Sequence, residues 1–148
     1  MRRFLLIVCS LFLFQFIILA QEDELCSYWL TLKGNTQIQI YKAANGKFYG
    51  KVVWLRYQKD RLDLKNPDEN LRTRKILGLQ IINNFVYNPG SKTWEKGTIY
   101  DPENGKTYNC NIWFDGKRKD ILKLKGFVLG MKFLGREAIW IRESLLKK

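Results

Sequence analysis

The chain contains no histidine. This removes the commonest general base, the commonest metal ligand and the usual activating partner of a serine or cysteine nucleophile. No Cys-x-x-Cys spacing, phosphate loop or calcium loop is present either, so neither a metal nor a cofactor is implied. What remains is the chemistry of carboxylates, Tyr, Lys and Arg. Asp63 and Asp101 are the carboxylates best suited to hydrolysis, yet each stands in a turn context, where Asp commonly caps backbone N–H groups. Around Asp63, residues 59–75 read K-D-R-L-D-L-K-N-P-D-E-N-L-R-T-R-K and supply Asn66, Arg72 and Arg74. In one reading Asn66 caps a short helix and Asp63 pairs with Arg72 or Arg74, plugging one end of a barrel. In the other the segment is a lid whose arginines face an anionic ligand, since Arg binds carboxylate or phosphate bidentately. The plug is the favoured of the two. Tyr49, Trp54, Tyr57, Trp94, Tyr100, Tyr108 and Trp113 recur through the strand-like runs. Most must build the core of so small a chain, while a subset can line a pocket. The candidate ligand residues are therefore Trp54, Asp63, Asn66, Arg72, Arg74, Trp94, Tyr100, Tyr108 and Arg136.

The elements that position these residues are strands. Residues 94–114 read as two alternating runs pivoting on Asp101-Pro102-Glu103-Asn104-Gly105, where Pro presets the turn and Gly can take positive φ. Upstream, residues 26–33 form a first strand closed by Gly34-Asn35. Residues 36–42 alternate, with Ile38 and Ile40 opposed to Gln37, Gln39 and Tyr41. Asn45-Gly46 is a strong hairpin signal. It leads into a strand over residues 47–57 that sets Phe48, Gly50, Val52 and Trp54 against Tyr49, Lys51, Val53, Leu55 and Tyr57. The alternation then breaks. Asn66, Pro67, Asp68 and Glu69 give an N-cap, a first-turn proline and two acids, the signature of a helix of one or two turns inside a long connection. Strand patterns resume at residues 76–88. After Asp115-Gly116, Leu122 and Leu124 oppose Ile121, Lys123 and Lys125, and a final strand spans residues 137–145. About eight short antiparallel strands imply an all-β, up-and-down barrel, which closes its own edges and encloses side chains or one small ligand.

The 148 residues suffice for one domain. Met1-Arg2-Arg3, the apolar residues 4–19, Ala20 and then a polar, acidic run form a secretory signal pattern. The domain is read as residues 21–148 behind a signal peptide of residues 1–20, with a periplasmic or secreted location. Losing Arg2 and Arg3 lowers the formal charge from +12 to +10, a balance that favours anionic neighbours. Nucleic acid is a poor partner for an exported chain without a recognisable nucleic-acid module. Of the three cysteines, Cys9 leaves with the signal. Cys26 and Cys110 then remain as a possible disulfide or as two buried thiols.

Several motifs together resemble the exported bacterial family catalogued as domain of unknown function 2147. They are G-K-F-Y-G-K-V-V-W-L at 46–55, D-L-K-N-P at 63–67 with Leu71-Arg72, L-G-L at 77–79, W-E-K-G at 94–97, Y-D-P-E-N-G-K-T-Y at 100–108, Gly126-Phe127, F-L-G-R at 133–136 and W-I-R at 140–142. The likeness implies a lipocalin-like barrel. It also implies that Arg142, from the last strand, lies over Trp29 of the first in a cation–π contact that closes the barrel. Arg136 and Trp140 are read as candidates for the same end cluster.

These readings converge on an exported, non-enzymatic barrel that binds a small amphipathic or anionic envelope molecule at one mouth, under the connection that carries Asp63 and Arg74. Two alternatives stand beside it. One is an envelope module whose basic exterior meets acidic polymer or a membrane surface; the other is a carboxylate-dependent hydrolase.

Overall fold

The computed structural model describes residues 23–127 and 135–148. Eight strands follow in chain order: β1 Ser27–Thr31, β2 Thr36–Lys42, β3 Phe48–Leu55, β4 Gln80–Asn88, β5 Thr93–Asp101, β6 Lys106–Asp115, β7 Arg118–Phe127 and β8 Arg136–Glu143. Each pairs antiparallel with its sequence neighbours, and β8 returns to β1 to close the barrel. The expected all-β, eight-stranded, lipocalin-like architecture is thus found. The signal-peptide reading of residues 1–20, and Phe133 and Leu134 of the family motif, lie outside the described residues.

Strand alternation fills the interior. Trp29, Ile38, Ile40, Phe48, Val52, Phe85, Trp94, Ile112, Phe114, Leu122, Leu124 and Trp140 are all buried and form one continuous cluster. Where strands must come close, glycine makes room. A Cβ on Gly97 would stand 2.2 Å from the Phe85 ring, so β5 passes beneath that buried phenylalanine only because the position has no side chain.

Two departures from the expected pattern have local causes. The register of β2 against β3 shifts between Gln37 and Ile38, which face Trp54 and Val52 respectively. This bulge removes Trp54 from the inward series of Phe48, Gly50 and Val52 and sets it on the outer face beside Gln37. There the final residues cross the wall. The Gln37 amide donates to the Leu145 carbonyl at 2.9 Å and accepts from the Lys147 N–H at 2.9 Å, and Trp54 Nε1 donates to the Lys148 carbonyl oxygen at 2.9 Å. Gln37 is consequently buried, though on the outside of the sheet. Second, the helix of the long connection is a single 3-10 turn, Glu69–Leu71, capped by Asp68 and not by Asn66. Asn66 Oδ1 instead accepts from the Asp68 N–H two residues on, an Asx turn that competes with a longer helix.

The cysteines are not bridged to each other. Cys110 lies on β6 and Cys26 just before β1, with β7 and β8 between them. Three strand spacings of roughly 4.8 Å far exceed the Cα separation of about 7 Å that a disulfide tolerates.

Gly97→Ala is expected to lower the urea midpoint by the equivalent of about 1–3 kcal/mol, the cost of overpacking a filled core. An unchanged midpoint would mean that Phe85 moves aside freely and does not dictate the glycine.

Candidate functional site

Two polar clusters stand out, at opposite ends of the barrel. The first is built by the connection, residues 56–79. Its Asp63 is fully buried and saturated with donors. Tyr100 Oη donates to Oδ1 at 2.6 Å, while Oδ2 accepts from Asn66 Nδ2 at 2.8 Å and from Arg74 Nε and Nη2 at 3.0 and 2.9 Å. Asn66 also reaches Tyr100 Oη at 3.2 Å, and Arg72 Nε holds the Asn66 carbonyl at 2.8 Å. Gly97 faces the inward Cys110 across the ladder; by alternation Ile99 points in and Tyr100 out. Tyr100 is nevertheless buried because the connection lies over it, with Arg74 5.7 Å above its ring. The segment is therefore clamped to the outer wall of β5. It is clamped to the β5–β6 turn as well. Lys65 Nζ donates to the Glu103 carbonyl at 2.6 Å, Arg61 pairs with the Glu103 carboxylate at 2.7 Å, and the Lys65 carbonyl lies 1.7 Å from where a Gly105 Cβ would be. Both oxygens of the buried Asp63 carboxylate thus have protein donors, the arrangement of a latch.

The second cluster fills the end where β1, β3, β5 and β7 begin. Trp29, Phe114 and Trp94 follow one another with ring centroids 6.1 and 5.3 Å apart, and Tyr87 and Phe48 extend the row at 4.9 and 6.3 Å from Trp94. Cations lie over this aromatic layer. The Arg142 guanidinium is 4.6 Å from the Trp29 centroid and 5.8 Å from that of Phe114, Lys119 Nζ is 4.6 Å from Phe114, and Lys42 Nζ is 5.5 Å from Phe48. Arg142 also donates to the Lys119 and Glu24 carbonyls at 2.9 and 2.7 Å, while Trp29 Nε1 donates to the Leu25 carbonyl at 2.9 Å. These bonds fasten the segment preceding β1 across the layer. Burial pulls the Arg142 guanidinium below its ordinary value, and the nearby Glu24 and Asp120 carboxylates oppose that shift.

Beside this layer lies a cavity of about 240 Å³ lined by Ser91, Lys92, Thr93, Trp94, Trp113, Phe114, Gly116 and Lys119. A groove of about 340 Å³ continues from Thr93 and Trp113 along Asn111, Lys125 and Phe127. Trp94 is 1% exposed, yet its Nε1–H finds no acceptor among the described residues. A buried donor left unpaired costs about 1–3 kcal/mol.

The residues expected to share one ligand site therefore separate. Asp63, Asn66, Arg74 and Tyr100 come together, with Arg72 alongside, but in a saturated latch. Tyr108 sits at the same end, its hydroxyl accepting from Asn104 Nδ2 at 3.0 Å. Trp94 lies at the far end of β5 from Tyr100, Trp54 is outside the barrel under the C-terminal residues, and Arg136 is exposed at the start of β8. Lys92 and Lys119, which rim the cavity, belong to none of the motifs in the sequence. Their signal was their position in or beside the turns 89–92 and 116–117, which topology brings to the Trp94 end.

Fold and site together define a closed lipocalin-like barrel with a cation-covered aromatic end. A solved structure from the human pathogen Helicobacter pylori, of a protein described as belonging to the lipocalin family, is similar with a TM-score of 0.69. The match covers 81% of this chain and 83% of that one at 22% identity, a level that establishes the fold alone. The chain belongs to the family of domain of unknown function 2147, described as an uncharacterised protein conserved in bacteria, whose model matches residues 27–142. No curated protein matches it.

Burial, and then the bond to Asp63, raise the Tyr100 hydroxyl above its ordinary 10.0. Burial alone pushes the Cys110 thiol up from 9.0 to about 12. Both groups hold their protons more tightly folded than unfolded. The stability they contribute is thus intact below pH 9 and declines as pH rises from 9 toward 12. The denaturant midpoint should fall across that window, and fall less steeply in the double variant Tyr100→Phe, Cys110→Ala. An equal slope in both proteins would assign the alkaline loss to other groups.

Proposed function

We propose that the protein is an exported, non-enzymatic barrel that binds a small anionic amphiphile of the cell envelope at its Trp94 end. The observation that carries this reading is the buried Trp94 N–H without an acceptor, on a side chain lining a cavity rimmed by Lys92 and Lys119. An anionic group entering there meets Lys92 and also Lys119, whose ammonium it shares with Glu24 at 2.6 Å, and it lies beside the indole that carries the unmatched N–H. Its apolar part can follow Trp113 and Phe127 along the adjoining groove. The cavity is small against common ligand sites of about 300–1,000 Å³. It suits a head group with a few carbons, the remainder lying in the groove.

This reading moves the site away from the connection, because the Asp63 carboxylate is already matched by protein donors on both oxygens. The same occupancy weighs against hydrolysis. Asp63 holds the latch, and Asp101 accepts from the Glu103 N–H at 2.9 Å and Asn104 Nδ2 at 2.9 Å, so both carboxylates serve local structure.

Titration with dodecanoate, followed by tryptophan fluorescence and calorimetry, should give saturable binding. Lys119→Ala should weaken it about tenfold, the value of one charge-assisted contact, and Trp94→Phe should weaken it severalfold while leaving the aromatic layer in place. Unaltered affinity in both variants would exclude this end as the site. For export, the intact mass of protein recovered from the envelope of cells expressing the full sequence should correspond to loss of residues 1–20; recovery of the unprocessed chain alone would refute that part of the reading.

A further inference from the structure

The outward side chains of β7, β8 and β1 form a surface unlike the rest of the barrel wall. Ile121 faces Ile141 across one ladder and Ile141 faces Leu30 across the next. One step along, Lys123 faces Ile139, and the Leu32 N–H donates to the Ile139 carbonyl at 3.1 Å. The C-terminal residues lie beside this sheet, since the Leu145 carbonyl accepts from Gln37, the direct partner of Leu30. Ile139, Ile141, Leu32, Leu145 and Leu146 are 36%, 39%, 64%, 75% and 49% exposed. They are half of the ten large apolar side chains exposed among the described residues, gathered on one face. Contiguous apolar surface of this kind marks an interaction site.

The border of the face identifies its partner. Lys123, Lys125 and Arg136 stand on its β7 and β8 strands, Lys33 follows Leu32, and Lys147 and Lys148 follow Leu146. Lys123, Lys125 and Lys147 pair with Asp115, Glu137 and Glu143, which leaves cations in excess. Long basic side chains around an apolar patch can lay their stems on it and lift their charges to the rim. In a contact between two copies the same cations would be driven together. On an anionic bilayer they meet head groups while the leucines and isoleucines enter the acyl boundary, the arrangement of a peripheral membrane surface.

We infer that the β7–β8–β1 face, with Leu145 and Leu146, docks the protein on anionic lipid bilayers. This surface is separate from the Trp94 cavity, and the inference does not depend on the small ligand.

The experiment is co-sedimentation of protein recovered from the envelope of cells expressing the full sequence. The vesicles are either an equal mixture of phosphatidylglycerol and phosphatidylcholine or phosphatidylcholine alone. Binding is expected only to the anionic vesicles, falling with added salt, and falling about tenfold or more in Ile139→Ser, Ile141→Ser as apolar contact is lost. The variant Leu145→Ser, Leu146→Ser should lose a similar factor, and its two exposed positions lie beyond the end of β8. Dodecanoate affinity should be unchanged in both. The inference is overturned if both variants bind vesicles as the unaltered protein does, if neutral vesicles bind equally well, or if the replacements dissolve a dimer in analytical ultracentrifugation without any vesicle binding having been present.

Discussion

Everything in this fold depends on the pairing of its first strand with its last. Seven of the eight ladders join strands adjacent in sequence; the eighth joins β1 to β8, and without it two edges stay open. Its register sets Trp29 opposite Arg142, so the closing ladder delivers a guanidinium onto an indole face at 4.6 Å. Such a contact contributes on the order of 0.5–2 kcal/mol, modest beside the burial of the tryptophan itself. The Arg142 bonds to the Glu24 and Lys119 carbonyls add direction. They fix where the chain enters β1 and where β7 begins, and so shape the end of the barrel that holds the aromatic layer.

The two ends treat buried polar groups in contrasting ways. Asp63 has its carboxylate matched by four donor contacts from three residues, which is the condition for burying a charge without a large penalty. Removing any one partner would expose that penalty, so the latch resists change. The Trp94 N–H is the opposite case, a buried donor left unmatched within the described protein. A fold that satisfies a full carboxylate yet leaves one indole unpaired beside a cationic cavity concentrates its unfulfilled bonding capacity in one place. This asymmetry, and not the lid-like composition of the connection, is the ground on which the Trp94 end is proposed as the site.

Much of the scaffold was legible in the residues. Asn45-Gly46 and residues 101–105 turn the chain where their φ preferences direct, and the alternation of Ile38 and Ile40 or Leu122 and Leu124 points the expected side chains inward. The misreadings share a cause: each hinges on a contact distant in sequence or on one inserted residue. Trp54 leaves the inward series because of a bulge that no residue type announces. Gln37 is buried by chain 108 to 110 residues away. Tyr100 points outward by alternation and is covered by a segment 37 residues earlier. Asn66 offered a cap, but the same side chain had a stronger use in the Asp63 cluster. The separation of Trp94 from Tyr100 was available from strand direction alone, since they occupy opposite ends of β5. The orphaned indole was not, because satisfaction of a donor depends on every neighbour it does or does not meet.

The closing ladder also has a kinetic side. The seven meander ladders join strands neighbouring in sequence, whereas Tyr28 meets Glu143 only after nearly the whole chain has been ordered, and the entropy of such a closure is lost before its bonds form. A molecule arrested one step short carries β1 and β8 as bare edges, flanked by Leu30, Leu32, Ile139 and Ile141 in their outward positions. Those edges are complementary to one another, so β8 of one molecule can seat on β1 of the next as readily as on its own. Closure within the chain competes with exchange between chains, and concentration during folding decides which of the two prevails.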